Sequence, residues 1–370
     1  MTDYIITGCD LHDNGIVLKI SRNSDEPESR SFRNTISGRK GMIAELKKRA
    51  KAAGGAKIVF AYEASSQGFG LCDELTDAGI DCRVLAPTKI PRSTKQKKSK
   101  DDDRDALQIL EILRAHLLAG NDLPEVWLPD KQTRDDREVM RARLDAGEKT
   151  TAIKAQIQSL LKRNSIRKPE YVGGSWTVRH RAWLVSLLKG KSALPFGAGV
   201  ALGSLLRQLE AMEEETRQMN VMVEYLSQQP RYVPAAGKLM EEKGVGLITA
   251  MVFLTEIGDM GRFANRRQIA AFLGLVPACY ESGDKNDRKG HITHQGPFRV
   301  RKVLCQAVWA RVRFDKKEKE VYERIVRRNP KHKKIAVVAG MRRLSIKMWH
   351  IALACKRPRF AGVAPENEAA

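Results

Sequence analysis

Lys95-Gln96-Lys97-Lys98-Ser99-Lys100 is followed at once by Asp101-Asp102-Asp103-Arg104-Asp105-Ala106. The chain turns from basic to acidic within one residue and sets four carboxylates into five positions, at the point where an apolar-periodic helix begins. Acids are favoured in a first helical turn because they satisfy free N–H groups and complement the positive end of the helix dipole. The sharper reading is a metal site. Asp102 and Asp105 are three apart, share a helix face, and can reach one hard cation. Deciding between the two requires acids at strand ends elsewhere.

Working outward, the sequence places such acids. Tyr4–Asp10 and Gly15–Ile20 read as two strands joined by the turn-forming His12-Asp13-Asn14-Gly15, with Asp10 at the end of the first. A third strand falls near Ser29–Arg33, and Ser37 is expected to cap a helix through Ala53 with Met42, Ile43, Leu46 and Ala50 at helical spacing. Lys57–Tyr62 is a short apolar run suited to a buried strand, and Glu63 ends it. A helix over Gly68–Ala78, a strand over Asp81–Ala86 and a basic loop over Lys89–Lys100 precede the acidic helix, which runs to about Leu118. An antiparallel hairpin followed by strands alternating with helices matches the RNase H-like mixed sheet of metal-dependent nucleases. That order gathers Asp10, Glu63, Asp102 and Asp105 at one sheet end. Four clustered carboxylates repel one another unless a divalent cation sits among them.

The bulk numbers agree with a nucleic-acid partner. Lys and Arg total 66 against 44 Asp and Glu, a net charge of +22 over 370 residues, which suits a polyanion. At 42% hydrophobic and 30% charged, the chain can form packed cores, and its length suits two or three domains. Nothing approaches the apolar length of a spanning helix, and the N-terminus lacks a signal-peptide layout, so a cytoplasmic protein with no membrane partner is expected. The cysteines, Cys9, Cys72, Cys82, Cys279, Cys305 and Cys355, form no Cys-x-x-Cys pair, which argues against zinc knuckles and disulfide frameworks. His291 and His294 have metal-like spacing without a second ligand pair.

Beyond the acidic helix the pattern becomes helical. Asp130–Asn164 and Leu202–Leu226 read as two long helices, the second with Leu205, Leu209, Met212 and Met219 near heptad spacing. They suggest a coiled-coil arm, an ordinary bundle being the alternative. Arg167–Gly174 and Gly190–Gly199 read as loops around a short helix near Arg179–Leu188. After Pro230 and Pro234 a new domain is expected, where Lys243-Gly244-Val245-Gly246 resembles a helix-hairpin-helix turn whose Gly244 and Gly246 amides can hold a phosphate. A long loop, Gly274–Gly296, carries Lys285, Arg288 and Lys289, and long loops are often functional. Basic helices over Phe298–Phe314, with Arg299 and Arg301, then Lys316–Arg328 and Lys334–Ala354 close the folded part.

These residues resemble the DEDD transposases of bacterial insertion sequences, the insertion-sequence one-ten group, whose members act as bridge-RNA-guided recombinases. The resemblance rests on Gly8-Cys9-Asp10, Tyr62-Glu63-Ala64 and Lys100-x-Asp102-x-x-Asp105-Ala106. It continues through Gly244-Val245-Gly246, Thr249-Ala250, Glu256-Ile257-Gly258-Asp259, Arg262-Phe263, Gln268, and Gly274-Leu275-Val276-Pro277 leading to Tyr280-Glu281-Ser282-Gly283. Gly290–Pro297 departs from the family's Lys-x-Gly-Asn subloop, and Lys243 replaces the usual proline.

The resemblance implies an α/β plus all-α chain. A RuvC-like domain over residues 1–125 is followed by a helical coiled-coil arm over 126–232, a mainly α-helical transposase domain over 233–355, and a tail. It implies Mg²⁺ (or Mn²⁺) on Asp10, Glu63, Asp102 and Asp105, and Ser282 as nucleophile. The partners implied are target and donor DNA, a structured bridge RNA, and further copies of the chain in a dimer or tetramer, with acids and serine drawn from different protomers. Lys97, Lys98, Lys100, Gly244, Gly246, Lys285, Arg288, Lys289, Arg299 and Arg301 are the expected nucleic-acid contacts. Two rival readings stay open: a metal-dependent RuvC-like nuclease or resolvase that activates water without serine chemistry, and a non-catalytic RNA- or DNA-binding protein on an RNase H-like scaffold.

Overall fold

The structure, a computed structural model, describes residues 2–91, 101–189, 194–279 and 289–356. It divides into two compact units, with the boundary between Leu128 and Pro129.

The first unit is a mixed α/β domain. β1 (Tyr4–Leu11), β2 (Gly15–Arg22) and β3 (Glu28–Arg33) form an antiparallel meander, followed by α1 (Ile36–Ala52), β4 (Lys57–Glu63), α2 (Gly70–Asp77), β5 (Asp81–Leu85) and α3 (Asp102–Ala119). The sheet order is β3-β2-β1-β4-β5, with β4 parallel to both β1 and β5. Side-chain alternation then sorts the strands between two cores. Ile5, Cys9, Phe60 and Tyr62 face α1 and α2, packing on Met42, Leu46, Leu71 and Leu75. Ile6, Val59 and Ala61 face α3, against Ile109, Leu110 and Leu113. Both faces of the central strands are therefore buried, as their unbroken apolar runs require.

One expectation is corrected here. The cap of α1 is Thr35, not Ser37: Thr35 is extended (φ −125°, ψ 164°) and its side chain accepts from the Gly38 amide at 3.1 Å. Ser37 already lies inside the helix.

The second unit is mostly helical. α4 (Lys131–Arg163) leads through α5 (Val178–Ser186) to α6 (Phe196–Ser227), and then come α7 (Val233–Met240), α8 (Leu247–Ile257) and α9 (Arg266–Phe272). The short strands β6 (Pro277–Cys279) and β7 (Lys289–Ile292) precede α10 (Phe298–Phe314), α11 (Lys316–Arg328) and α12 (Lys334–Lys356). α4 and α6 run antiparallel, since Arg143 meets Asn220, Thr150 meets the Met212 carbonyl and Lys154 pairs with Glu213. At 33 residues, α4 is about 50 Å long at ~1.5 Å per residue. Its near end, with Met140 and Leu144, shares one core with Val223 and Leu226 of α6 and with α7–α12. Its far end, with Ile153 to Leu161, belongs to a separate core with Trp183, Leu184, Leu202 and Leu209.

α6 begins at Phe196, so the stretch Gly190–Gly199 read as loop is helical from that point. Gly197 and Gly199 lowered local propensity without preventing the packing of Leu202. α7 was not foreseen because of Pro234. That proline sits in the first turn, where its missing N–H costs nothing.

Inside the second unit Glu256, only 7% exposed, closes α8 onto α4. Arg141 donates to its carboxylate at 3.0 Å, and Arg137 donates to the Thr255 and Glu256 carbonyls at 2.8 Å. Asp136 is buried too and accepts from the Tyr232 hydroxyl at 2.5 Å. Buried charge is tolerable because each carboxylate has a donor.

Candidate metal centre

The site is built by parity and one glycine. On β1, Ile6, Gly8 and Asp10 share the face that α3 covers; on β4, Val59, Ala61 and Glu63 do. The last parallel pair is Cys9 with Tyr62, so Asp10 and Glu63 leave neighbouring strand ends on the same side of the sheet.

α3 lies on that face at backbone contact. A Cβ at Gly8 would overlap the Ala106 carbonyl oxygen and the Leu110 amide nitrogen and stand 2.8 Å from Leu110 Cα. Glycine here is a packing requirement. It lets the first turn of α3 reach the sheet end where Asp10 stands.

The acidic run then separates into roles. Asp101 is the N-cap, its carboxylate accepting from the amides of Asp103 at 3.2 Å and Arg104 at 3.4 Å. Asp102 opens the helix beside Asp10. Asp103, itself exposed, pins α3 to the sheet by pairing with Lys19 of β2 and accepting from Ser29 of β3. Those two contacts hold its carboxyl below the usual range, the Lys19 bond first.

His12 completes the arrangement. Its Nε2 lies 3.0 Å from Asp10 Oδ2 and 3.2 Å from Asp102 Oδ1, with the imidazole 31% exposed. One ligand atom from each of Asp10, His12 and Asp102 falls within 4.8 Å of the others, a spacing three donors to one cation can adopt. Glu63 and Asp105 do not join that set, although Asp105 follows Asp102 on the same helix face. Two carboxylates with one imidazole suit a divalent cation. The sequence reading used His12 only as a turn residue. Its place two residues after Asp10 in a tight hairpin was the available signal.

Other expected residues fall as follows. Lys97, Lys98, Lys100, Ser282, Lys285 and Arg288 lie outside the described residues. Lys289 opens β7, which pairs antiparallel with β6 through Cys279, so the chain is paired on each side of the stretch holding Ser282. Below that hairpin, Gly274 (φ 64°) would meet Gln295 backbone with any Cβ, and Gly296 (φ 69°) would overlap the Phe272 carbonyl oxygen. Arg301 donates to the carbonyls of Leu273, His294, Gln295 and Gly296. It is used as a staple of this segment, a structural task for a side chain expected to face nucleic acid. Arg299 lies 3.6 Å from Asp145. Gly244 (φ 79°) lets the turn approach α10, since a Cβ would stand 2.6 Å from the Ala307 oxygen; around Gly246 the space is open.

Fold and site together define a two-part protein: a mixed-sheet α/β unit bearing a candidate divalent-metal centre, and a mostly helical unit, in a strongly basic chain. The family follows from comparison with known proteins. Residues 8–165 match a model described as Transposase, of the DEDD IS110 type, and residues 236–323 match one described as Transposase IS116/IS110/IS902 family. A putative transposase, y4qE, of Sinorhizobium fredii is 34% identical over 256 residues, 68% of this chain and 58% of that relative. The transposase for insertion sequence element IS1533 of Leptospira borgpetersenii is 25% identical over 320 residues, 84% of this chain and 86% of the relative. The chain belongs to the IS110-type DEDD transposase family. Among the described residues no helix is long and apolar enough to cross a membrane.

Proposed function

We propose that the chain is the DNA transposase of an insertion sequence, cutting and rejoining strands through a phosphoserine on Ser282, with an RNase H-like first unit that holds a divalent metal. The observation that carries this reading is the meeting of Asp10, His12 and Asp102 at one sheet end in a chain of this family.

Asp10, Asp102 and His12 would hold the cation, Mg²⁺ or Mn²⁺, with Glu63 at the neighbouring strand end and Asp105 further along α3 as additional carboxylates. When bound, such an ion polarises a phosphoryl oxygen and screens its charge. The chain's own part is positional. α3 and β1 fix two carboxylates so that their charge is available without rearrangement, and His12 spans them. Ser282 Oγ attacks phosphorus as its proton passes to solvent, and the 3′-oxygen of the broken strand leaves and takes up a proton to become a 3′-hydroxyl, so that a 5′-phosphoserine holds the strand. Attack by the 3′-hydroxyl of the exchanged strand returns the serine and remakes the phosphodiester. Because each bond broken is matched by one formed, no nucleotide cofactor is required.

Target choice is assigned to a structured bridge RNA by base pairing, with basic residues tracking backbones. Homo-oligomer assembly and a division into a catalytic domain, arm and transposase domain belong to the same reading.

The test is Ser282→Ala. The variant should bind nucleic acid as before and form no covalent protein–DNA adduct in denaturing gels. An adduct of undiminished yield overturns the proposal. Cleavage that persists in the variant, with no adduct from the unsubstituted chain, favours water activated at the acids alone. RNA copurified with the protein should be one specific species; bulk cellular RNA would refute guidance.

A further inference from the structure

A second binding feature lies in the helical unit, at the far end of the α4–α6 pair. A cavity of about 430 Å³ opens between the C-terminal turns of α4 and the start of α5. That is within the size range of sites for small organic ligands. Its cationic lining is Lys162, Arg167 and Lys168, all exposed, and among the described residues no carboxylate lines it. The surrounding sequence is equally one-sided, since Glu170 is the sole acid between Lys162 and Lys189 against 7 Lys and Arg.

The interior wall is different in kind. Leu161, Ile166 and Trp183 supply apolar surface, and His180, 4% exposed, supplies one polar group. The Trp176 amide donates to His180 Nδ1 at 3.0 Å. An imidazole that accepts at Nδ1 carries its hydrogen on Nε2. Burial, and then the charges of Lys168 and Arg181, push the imidazole pKa down and keep the ring neutral. Trp176 and Trp183 flank that ring, with centroids 5.2 and 5.5 Å away.

A cationic rim around a partly apolar recess, with the His180 imidazole and the polar side chains of Gln158, Ser165 and Ser175 on its walls, has a definite chemical match. We infer that this cavity binds one nucleotide unit of a single-stranded nucleic acid, with the phosphate on Lys162, Arg167 and Lys168 and the unstacked base against the Trp183 wall. A duplex keeps its bases stacked and offers a convex row of phosphates, which leaves such a wall without a use. Single strands expose both the base face and the charge. Nothing in the cavity depends on the carboxylates of the first unit or on Ser282, and binding is measured without cleavage, so this inference and the proposed reaction fail separately.

The experiment measures equilibrium binding of the full chain to labelled single-stranded RNA, single-stranded DNA and duplex DNA over a series of salt concentrations. Each phosphate contact to a single strand contributes about 0.7 to the slope of log affinity against log salt. Replacing Lys162, Arg167 and Lys168 by Gln and thereby losing that one phosphate contact should flatten the slope by about 0.7 and weaken binding roughly threefold at about 0.2 M salt. The control replaces the exposed Lys47, Lys48 and Lys51 of α1 by Gln, an equal loss of charge, and should leave the slope as it was.

His180→Asn keeps an acceptor for the Trp176 amide and removes the Nε2 hydrogen; it should weaken single-strand binding severalfold at unchanged slope. Because the Lys168 ammonium also donates to the Gly173 carbonyl, the Lys162→Gln/Arg167→Gln double variant serves if the triple one does not fold. An effect on RNA alone, DNA alone or both supports the inference and identifies the strand. An unchanged slope, an equal effect in the α1 control, or an effect confined to duplex overturns it.

Discussion

Gly8→Ala tests the central geometric claim, that the position of α3 on β1 sets the distance between Asp10 and Asp102. The added carbon would stand 2.8 Å from Leu110 Cα, against ~3.5 Å for an unstrained carbon pair. α3 must therefore recede by about 0.7 Å or more, and further to clear the Ala106 oxygen and Leu110 nitrogen. These are backbone atoms, so truncating side chains on α3 offers no relief. Overpacking of this kind costs about 1–3 kcal/mol, a fall of roughly 5–10 °C in the unfolding of a unit this size. The functional loss should be larger, since a displacement near 1 Å among reacting groups costs about a hundredfold. The assay pairs thermal unfolding, with and without Mn²⁺, with metal-dependent strand cleavage. The variant should melt lower, gain less stability from Mn²⁺ and cleave about a hundredfold more slowly, while still binding DNA. Unchanged melting together with full Mn²⁺ stabilisation would refute the packing argument.

Other consequences follow from neighbouring contacts. Asp102→Asn should abolish metal-dependent cleavage, whereas Asp103→Asn, which weakens a pair between Lys19 and a half-exposed carboxylate, should cost under about 1 kcal/mol in a denaturant titration and leave cleavage standing. Gly296→Ala meets both a left-handed backbone (φ 69°) and the Phe272 carbonyl carbon at 3.0 Å. It should lower stability by roughly 1–3 kcal/mol, visible as a shift in unfolding midpoint. Glu213 titrates at about 2 instead of 4.5, held down by the Arg181 hydrogen bond and then by Lys154. Its folded value is depressed, so the stabilisation is complete above pH ~4.5 and fades as pH falls towards ~2. Glu213→Gln should make the helical unit less stable at pH 7 and flatten its stability over that acid window, and an unchanged acid profile would count against the ion pair.

Much of the first unit was legible because its signals are local. Apolar runs mark β1, β2, β4 and β5, and the strand-end carboxylates Asp10 and Glu63 can be named from β1 and β4 before any contact is known. The spacing of Asp102 and Asp105 put both on one helix face. The helical unit was harder. Its long helices were readable from periodicity, but Pro234, Gly197 and Gly199 are residues whose propensity says loop, and tertiary packing overruled it at α7 and α6. The pairing of β6 with β7 is not legible because the strands are too short for alternation to register, and the contacts that brace the flanking chain, Gly296 against Phe272 and Arg301 on the Leu273 carbonyl, join residues far apart in sequence.

The sequence by itself determined the elements, the acid-bearing strand ends and the overall charge, because each depends on residues close together in the chain. Only the tertiary structure decided which members of Asp101–Asp105 face the site. It made Asp101 a cap, tied Asp103 to Lys19 and Ser29, and set Asp102 beside Asp10 with His12 between them. Those roles depend on how closely a helix can approach a strand, and that distance is set at Gly8, nearly a hundred residues before the acids it positions.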